Sequence, residues 1–176
     1  MGNGNFSRRE ASLVLLSGMP GAGKTTFVRA LADRVPCEHV ESDAVRRGIA
    51  PRPTYSGEES GRVFGIVERK AGEGLKAGRT VVVDATNLRR ADRKRFLRLA
   101  ARHDATVIGV RVTAPETVIR ERLGRPREGF SQADTAVYEM MLGRAQRFDG
   151  AELVVDTRYP IGPSVELLVG LLRGPE

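Results

Sequence analysis

The stretch Gly18-Met19-Pro20-Gly21-Ala22-Gly23-Lys24-Thr25 follows directly on the apolar run Leu13-Val14-Leu15-Leu16-Ser17, and it decides how the chain is read. It fits the pattern G-x-x-x-x-G-K-[ST] with a strand before it and an amphipathic helix after it, where Phe27, Val28 and Leu31 supply the apolar side. Glycines let successive backbone N–H groups turn inward with no Cβ in the way. The helix that follows adds the positive end of its dipole to the same anion site. The pattern predicts a nucleoside triphosphate site contacted by Gly18, Pro20, Gly21, Ala22, Gly23, Lys24, Thr25 and Thr26. Lys24 is expected to reach the β- and γ-phosphates and the Thr25 hydroxyl to help hold Mg2+, while Thr26 continues the helix.

Working outward, short runs rich in Val, Ile or Leu alternate with helical patterns. Strands are expected at 12–17, 37–41, 80–84, 105–113 and 151–156, and helices at 24–35, 42–49, 58–77, 91–102, 115–123, 131–148 and 163–173. Gly78 after the third helix and Pro115 and Pro163 near two helix starts mark boundaries. The segments 50–57 and 124–129 read as loops. Alternation of this kind predicts an α/β fold, a three-layer sandwich with a five-stranded parallel sheet covered on both faces. With 176 residues the chain has room for one such domain, 12–176, behind a flexible N-terminus at 1–11.

Composition narrows the class. No apolar run approaches the length of a membrane span, and the opening residues lack the core of a signal peptide, so a cytoplasmic protein without membrane association is expected. Met1-Gly2 fails as a myristoylation signal because Phe6 stands where Ser or Thr is needed. The single cysteine, Cys37, excludes an internal disulfide and reads as a small buried residue beside His39 and Val40. The net charge is +7, and nearly all the positive charge is arginine, which suits a polyanionic partner without requiring one. The densest basic run, Arg89 to Arg102, puts Lys94, Arg98 and Arg102 on one helical stripe, with Phe96, Leu97, Leu99 and Ala100 on the buried side. A solvated helix face is favoured there over a phosphate-backbone contact, since no exposed aromatics are interleaved.

A phosphate-binding loop alone does not separate kinases from hydrolases, motors and switches. Asp43, in Glu41-Ser42-Asp43-Ala44-Val45-Arg46, falls just past the carboxyl end of the second strand, where open α/β sheets bind ligands. A carboxylate there can take the proton of an acceptor hydroxyl; the competing role is a helix cap, which Ser42 could fill equally well. Arg46 shares a helical face with Asp43 and could clamp an anionic acceptor, whereas Arg47 is turned toward solvent. Asp84 ends the most apolar strand, Val81-Val82-Val83, and is read as part of the magnesium shell. Thr86 and Asn87 follow in position to touch substrate or to fix the turn. Arg120, Arg122, Arg125 and Arg127 flank a Gly- and Pro-containing loop, as a lid at about 120–130 would, with Arg120 and Arg122 on different faces. The loop after the last strand, Asp156 to Pro160, offers Arg158 or Tyr159 for the base.

Taken together, Gly18 to Thr26, Asp43-x-x-Arg46, Asp84-Ala85-Thr86-Asn87-Leu88 and the arginine-bearing loop resemble the polynucleotide kinase-like branch of the phosphate-loop kinases, which includes zeta-toxin-like and chloramphenicol phosphotransferase relatives. The resemblance covers Ser12 to Leu172. It implies a nucleoside-kinase type of fold and an ATP- and Mg2+-dependent transfer of the γ-phosphate to a hydroxyl. It implies Lys24 and Thr25 as ATP and magnesium residues, Asp43 as general base, Arg46 on the phosphate beside the acceptor hydroxyl, and Arg122 and Arg125 as lid residues. The leading acceptor on this reading is a polynucleotide 5′-hydroxyl. The alternatives are a small molecule such as a nucleoside, sugar or antibiotic, with Tyr55 in the pocket wall, and a nucleotide-dependent switch, against which stands the lack of any Asn-Lys-x-Asp motif.

Overall fold

The computed structural model describes residues 11–50, 52–125, 134–148 and 150–174. Five strands, β1 (Ser12–Ser17), β2 (Glu38–Glu41), β3 (Thr80–Asp84), β4 (Thr106–Thr113) and β5 (Glu152–Asp156), form one sheet in the order β2-β3-β1-β4-β5, with every pair parallel. The helices are α1 (Lys24–Ala32), α2 (Ser42–Ile49), α3 (Gly57–Lys76), α4 (Arg90–Arg102), α5 (Glu116–Leu123), α6 (Thr135–Leu142) and α7 (Gly162–Arg173).

Alternate residues of the central strands feed two separate cores, which is why these strands are apolar throughout. Leu13, Leu15, Val81 and Val83 pack with Val63 and Val67 of α3 and Phe96 of α4. Val14, Leu16, Val82, Val110 and Val112 face the other way, onto Phe27 and Leu31 of α1 and Val165 and Leu168 of α7. The three layers anticipated from the alternation are therefore present. Each fully buried Leu or Val contributes about 1.5–3 kcal/mol, so both faces of the sheet hold substantial stability.

Because β1 pairs with β3 on one side and β4 on the other, the chain reverses direction across the sheet at β1, and a crevice opens at the carboxyl ends of the strands. Gly18, Asp43, Asp84 and Thr157 all lie at that end.

Three expectations need correction. Ala11, assigned to the flexible terminus, is buried, and its carbonyl accepts from Thr106 N at 2.9 Å; residues 1–10 lie outside the described residues. The helix expected at 131–148 runs over Thr135–Leu142, capped by the Asp134 carboxylate and stopped at Gly143. Beyond it the chain is drawn off into bonds with the α4 region, where Gln146 N donates to Leu88 O and the Arg93 guanidinium takes Arg147 O. Lastly, Leu97 is exposed, because the buried stripe of α4 runs through Arg93, Phe96, Leu99 and Ala100, and Leu97 stands one step of the helix further round. Lys94, Arg98 and Arg102 are exposed as expected. Cys37 sits just ahead of β2, partly buried against the second core. Of the anticipated lid, Arg127 and the rest of 126–130 fall outside the described residues.

Candidate active site

The nucleotide loop joins β1 to α1. Gly18 adopts φ +148°, and a Cβ there would stand 2.2 Å from Val112 O, so glycine is required on steric as well as torsional grounds. Its N–H donates to Thr86 O at 3.0 Å, which ties the loop to the end of β3. Gly21 and Gly23 also take positive φ. Lys24 Nζ donates to Gly18 O and Met19 O at 3.0 and 3.1 Å, folding the ammonium back over the loop it would share with phosphates.

Asp84, buried at the end of β3, accepts a hydrogen bond from Thr25 Oγ1 at 3.0 Å, and His39 Nε2 lies 3.1 Å from the same carboxylate oxygen. Hydroxyl and carboxylate oxygens meeting beside the phosphate loop are the donor set a hard divalent cation takes, one or two protein oxygens with phosphate and water completing the shell. His39 escaped the reading of the sequence. Its signal was the register, which sets β2 against β3 with Glu41 opposite Asp84. Burial, then the charge of Asp84, pushes the Glu41 carboxyl above its ordinary range.

Ser42 and Asp43 both lie inside α2. Glu41 holds the cap position, and its side chain makes no cap bond. The cap role that competed for Asp43 is thus absent, and the carboxylate stands in the first turn facing the crevice. Arg46, one turn on, is buried rather than free for a ligand. Its Nη1 donates to Glu59 Oε1, its side chain 8% and that of Glu59 11% exposed, and its guanidinium lies over the Tyr55 ring at 4.6 Å. Glu59 also accepts from Thr54 N and Thr54 Oγ1, both at 2.8 Å, and from Tyr55 N at 3.3 Å. Against the upward push of burial, the bonds from Thr54 and Arg46 hold its carboxyl down to about 2. Ser56, Gly57, Glu58 and Glu59 spell a capping box, and Ser56 does accept from Glu59 N. The Glu59 carboxylate bonds further back, to Thr54, Tyr55 and Arg46. That diversion is what the sequence pattern did not reveal.

Arg122 bonds the nucleotide loop to the segment after β5. Nη1 donates to Thr157 Oγ1 at 2.8 Å and Nη2 to Thr157 O at 3.1 Å, with longer bonds to Gly21 O and Ala22 O. Thr157 Oγ1 in turn donates to Ala22 O at 2.8 Å, a contact between segments that no sequence pattern pairs. Arg125 pairs with Glu121, and Arg120 with Glu116 and Glu139.

One cavity of about 730 Å³ gathers most of the expected site: Lys24, Thr25, Asp43, Arg46, Asp84, Thr86, Arg122 and Arg125, together with Pro20, Gly21, Gly23 and Thr26. Tyr55, Phe64 and Met141 wall it on the Asp43 side, and Thr157 and Tyr159 line it by the nucleotide loop. Gly18 and Ala22 shape the loop without lining the cavity. Asn87 is not in the wall either. It is 0% exposed, at φ +45°, and its Nδ2 donates to Leu16 O at 2.6 Å, so of its two expected roles the structure exhibits the turn. Arg93, which drew no functional reading, is buried and supports that turn by donating to Asn87 O and Leu88 O, both at 2.9 Å. Arg158 folds onto Asp156.

The AAA domain family matches residues 13–148. An uncharacterised protein of Mycobacterium tuberculosis (strain H37Rv) is 28% identical over 165 residues, covering 87% of this chain; the chain spans 33% of that relative's length. Among solved structures, the Mycobacterium tuberculosis APS kinase CysC bound to AMPPNP and APS superposes with a TM-score of 0.73 at 15% identity, covering 94% of this chain and 99% of that one. A sugar kinase from Janibacter sp. HTCC2649 gives 0.70 at 20% identity, covering 90% and 92%. The Pnkp1/Rnl/Hen1 complex gives 0.59 at 22%, covering 73% and 44%. Superposing on these neighbours over nearly its whole length, this chain has the P-loop kinase fold, and it belongs to the AAA domain family.

Proposed function

We propose that this chain is an ATP- and magnesium-dependent kinase that transfers the γ-phosphoryl group to a hydroxyl of a small molecule. The observation that carries this reading is the state of Arg46. The residue expected to receive an acceptor phosphate is already neutralised by Glu59 and covered by Tyr55, in a cavity to which Phe64 and Met141 add apolar wall. A polynucleotide would need cations along its path, and Lys94, Arg98 and Arg102 of the basic stripe do not line the cavity, Arg102 being paired with Glu68. The basic stripe of α4 that suited nucleic acid therefore lies away from the cavity.

In the reaction, the acceptor oxygen forms a bond to the γ-phosphorus as the bond from that phosphorus to the β,γ-bridging oxygen breaks. The hydroxyl proton passes to the Asp43 carboxylate and ADP leaves. Lys24 swings from the Gly18 and Met19 carbonyls onto the phosphates. Thr25 and Asp84 would hold Mg2+, whose positive charge offsets that developing on the phosphate oxygens. Arg125, which lines the cavity and is paired with Glu121, would leave that partner to meet the γ-phosphate, while Arg122 fixes the loop against Thr157. The direct test is label transfer from [γ-32P]ATP to a panel of small hydroxyl compounds and a 5′-hydroxyl oligonucleotide, by wild type and Asp43→Asn. Label on a small molecule that falls at least about 100-fold in the variant supports the reading. Label on the oligonucleotide replaces the acceptor, and ATP turnover that no acceptor stimulates replaces the kinase with a switch.

A further inference from the structure

Asp84 Oδ2 takes two hydrogen bonds, one from Thr25 Oγ1 at 3.0 Å and one from His39 Nε2 at 3.1 Å, and neither falls on Oδ1. A carboxylate only accepts, so Nε2 of His39 carries a proton and donates it. The two donors stand in different places. Thr25 lines the active-site cavity with Asp84 and Lys24, whereas His39 is outside that wall and lines a second hollow, of about 530 Å³, with Glu41, Ala44 and Lys70. β2 is the edge strand of the sheet, and its register sets His39 opposite Val82 and Glu41 opposite Asp84. His39 therefore reaches diagonally, past its own partner, to the end of β3. An Asp carboxylate turns easily about its last torsion, and the carboxylate of Glu41 across the strand pair is there to push it. Two donors on one oxygen arrest that rotation. Asp84 is buried at 3% exposure, and the oxygen they leave for the cavity is Oδ1.

Resting on the kinase reading above, we propose that His39 is a positioning residue for the metal of that reaction, holding Asp84 from the sheet edge so that Asp84 Oδ1 and the lone pairs of Thr25 Oγ1 are presented to Mg2+ or its waters. His39 itself lies outside the cavity and acts through Asp84 alone. Thr25 gives its proton to Asp84 and offers oxygen lone pairs to a cation, an arrangement that serves a metal only while Asp84 keeps its place. With Thr25 as sole donor the carboxylate would have one pivot. Water entering from the edge hollow can replace the hydrogen bond of His39 but not its fixed direction, so its loss falls on metal affinity rather than on the fold.

The test is a Mg2+ titration of the full chain with the fluorescent analogue mant-ATP at one fixed pH, for wild type, His39→Phe, His39→Gln and His39→Asn, beside melting temperatures without ligand. His39→Phe keeps a ring and removes the donor. Gln sets an amide N–H near the place of Nε2, and Asn sets one a bond short of it. The Mg2+ concentration at half-saturation is expected to rise about tenfold or more in His39→Phe and His39→Asn and to return to within about threefold of wild type in His39→Gln, with mant-ATP binding in EDTA unchanged throughout. Because the His39 side chain is 27% exposed, melting is expected to stay near the wild-type temperature. A half-saturation in His39→Phe within about twofold of wild type overturns the inference and leaves Thr25, Asp84 and the kinase reading in place. Equal loss in His39→Gln overturns it too, since the donor would then not be what matters, as does a fall in melting temperature with weaker binding in EDTA, which would make His39 part of the fold. A wild type that binds mant-ATP equally with Mg2+ and with EDTA overturns it and removes magnesium from the kinase reading, while label transfer to an acceptor, measured separately, decides that reading itself.

Discussion

The Arg46–Glu59 pair permits a quantitative prediction because both partners are nearly enclosed, at 8% and 11% exposure. Replacing Glu59 with Met removes the carboxylate that Arg46 bonds and leaves a guanidinium in a desolvated place. Stranding one half of a buried pair typically costs about 3–5 kcal/mol, of which the Thr54 bonds add little, since Thr54 is exposed and water can replace them. Against a total stability of about 5–15 kcal/mol this is a large fraction, and for a chain of this size a loss of 3 kcal/mol lowers Tm by roughly 6–12 °C. Arg46→Met strands Glu59 instead, which can pick up a proton, so it is expected to cost less, about 1–2 kcal/mol. The double variant Arg46→Met/Glu59→Met leaves no charge behind and is expected to recover most of the Glu59→Met loss, a coupling above about 1 kcal/mol. Urea unfolding of the four proteins, followed by circular dichroism, closes the cycle. Additive losses, or a Glu59→Met cost below about 1 kcal/mol, would refute the view that Glu59 exists to neutralise Arg46.

The same carboxyl gives a pH dependence. Glu59 binds its proton less tightly folded than unfolded, so its contribution is whole above pH 4.5 and drains away as pH falls toward 2; acid titration of Tm should show a drop in that window that Glu59→Gln lacks. Gly18→Ala must move Val112 O, 2.2 Å from the new Cβ, and pay for φ +148°, so it is expected to cost at least about 2 kcal/mol and to abolish binding of a fluorescent ATP analogue. Unchanged binding would remove the steric argument. Arg93→Met orphans the carbonyls of Asn87 and Arg147 and takes one of two donors from that of Leu88, and should destabilise by about 2 kcal/mol or more in urea unfolding, with the chain around 145–148 exchanging amide hydrogens faster. Protection as in wild type would show that segment to be held by other contacts.

What was legible in the sequence was local. The nucleotide loop announces itself because its glycines, its lysine and its flanking strand and helix are contiguous, and Asp84 and Asp43 drew attention because the first ends a strand and the second opens the helix after one, at the side of the sheet where ligands bind. Sheet and layers followed from apolar runs whose alternate residues enter two cores. What was hidden depended on distance along the chain. Nothing in the sequence joins Thr157 to Ala22, or Arg93 to Arg147, since those bonds exist only once β5 and α4 have docked. Arg46 shows the limit most clearly: its helical face was read correctly, yet its charge was already committed to a glutamate in a different helix, which reverses what the arginine can recognise. Leu97 failed for a smaller reason, one helical step separating an exposed leucine from a buried phenylalanine.

The placement of β1 bears on when the protein can form as well as on what it holds. Ser12 pairs with Thr80 and with Thr106, so the middle strand leaves the ribosome well ahead of both neighbours and must wait, apolar on both faces, until they arrive. Parallel pairings of such sequence separation are slow to close and expose the waiting strand to misassociation. The nucleotide loop inherits the delay, for Gly18 leans on Thr86 O and Val112 O, which are made later still. A ligand of that loop therefore cannot chaperone the early chain. Its stabilising effect begins only after β4 has taken its place, which makes the interval between β1 and β4 the period in which the nascent protein most needs protection.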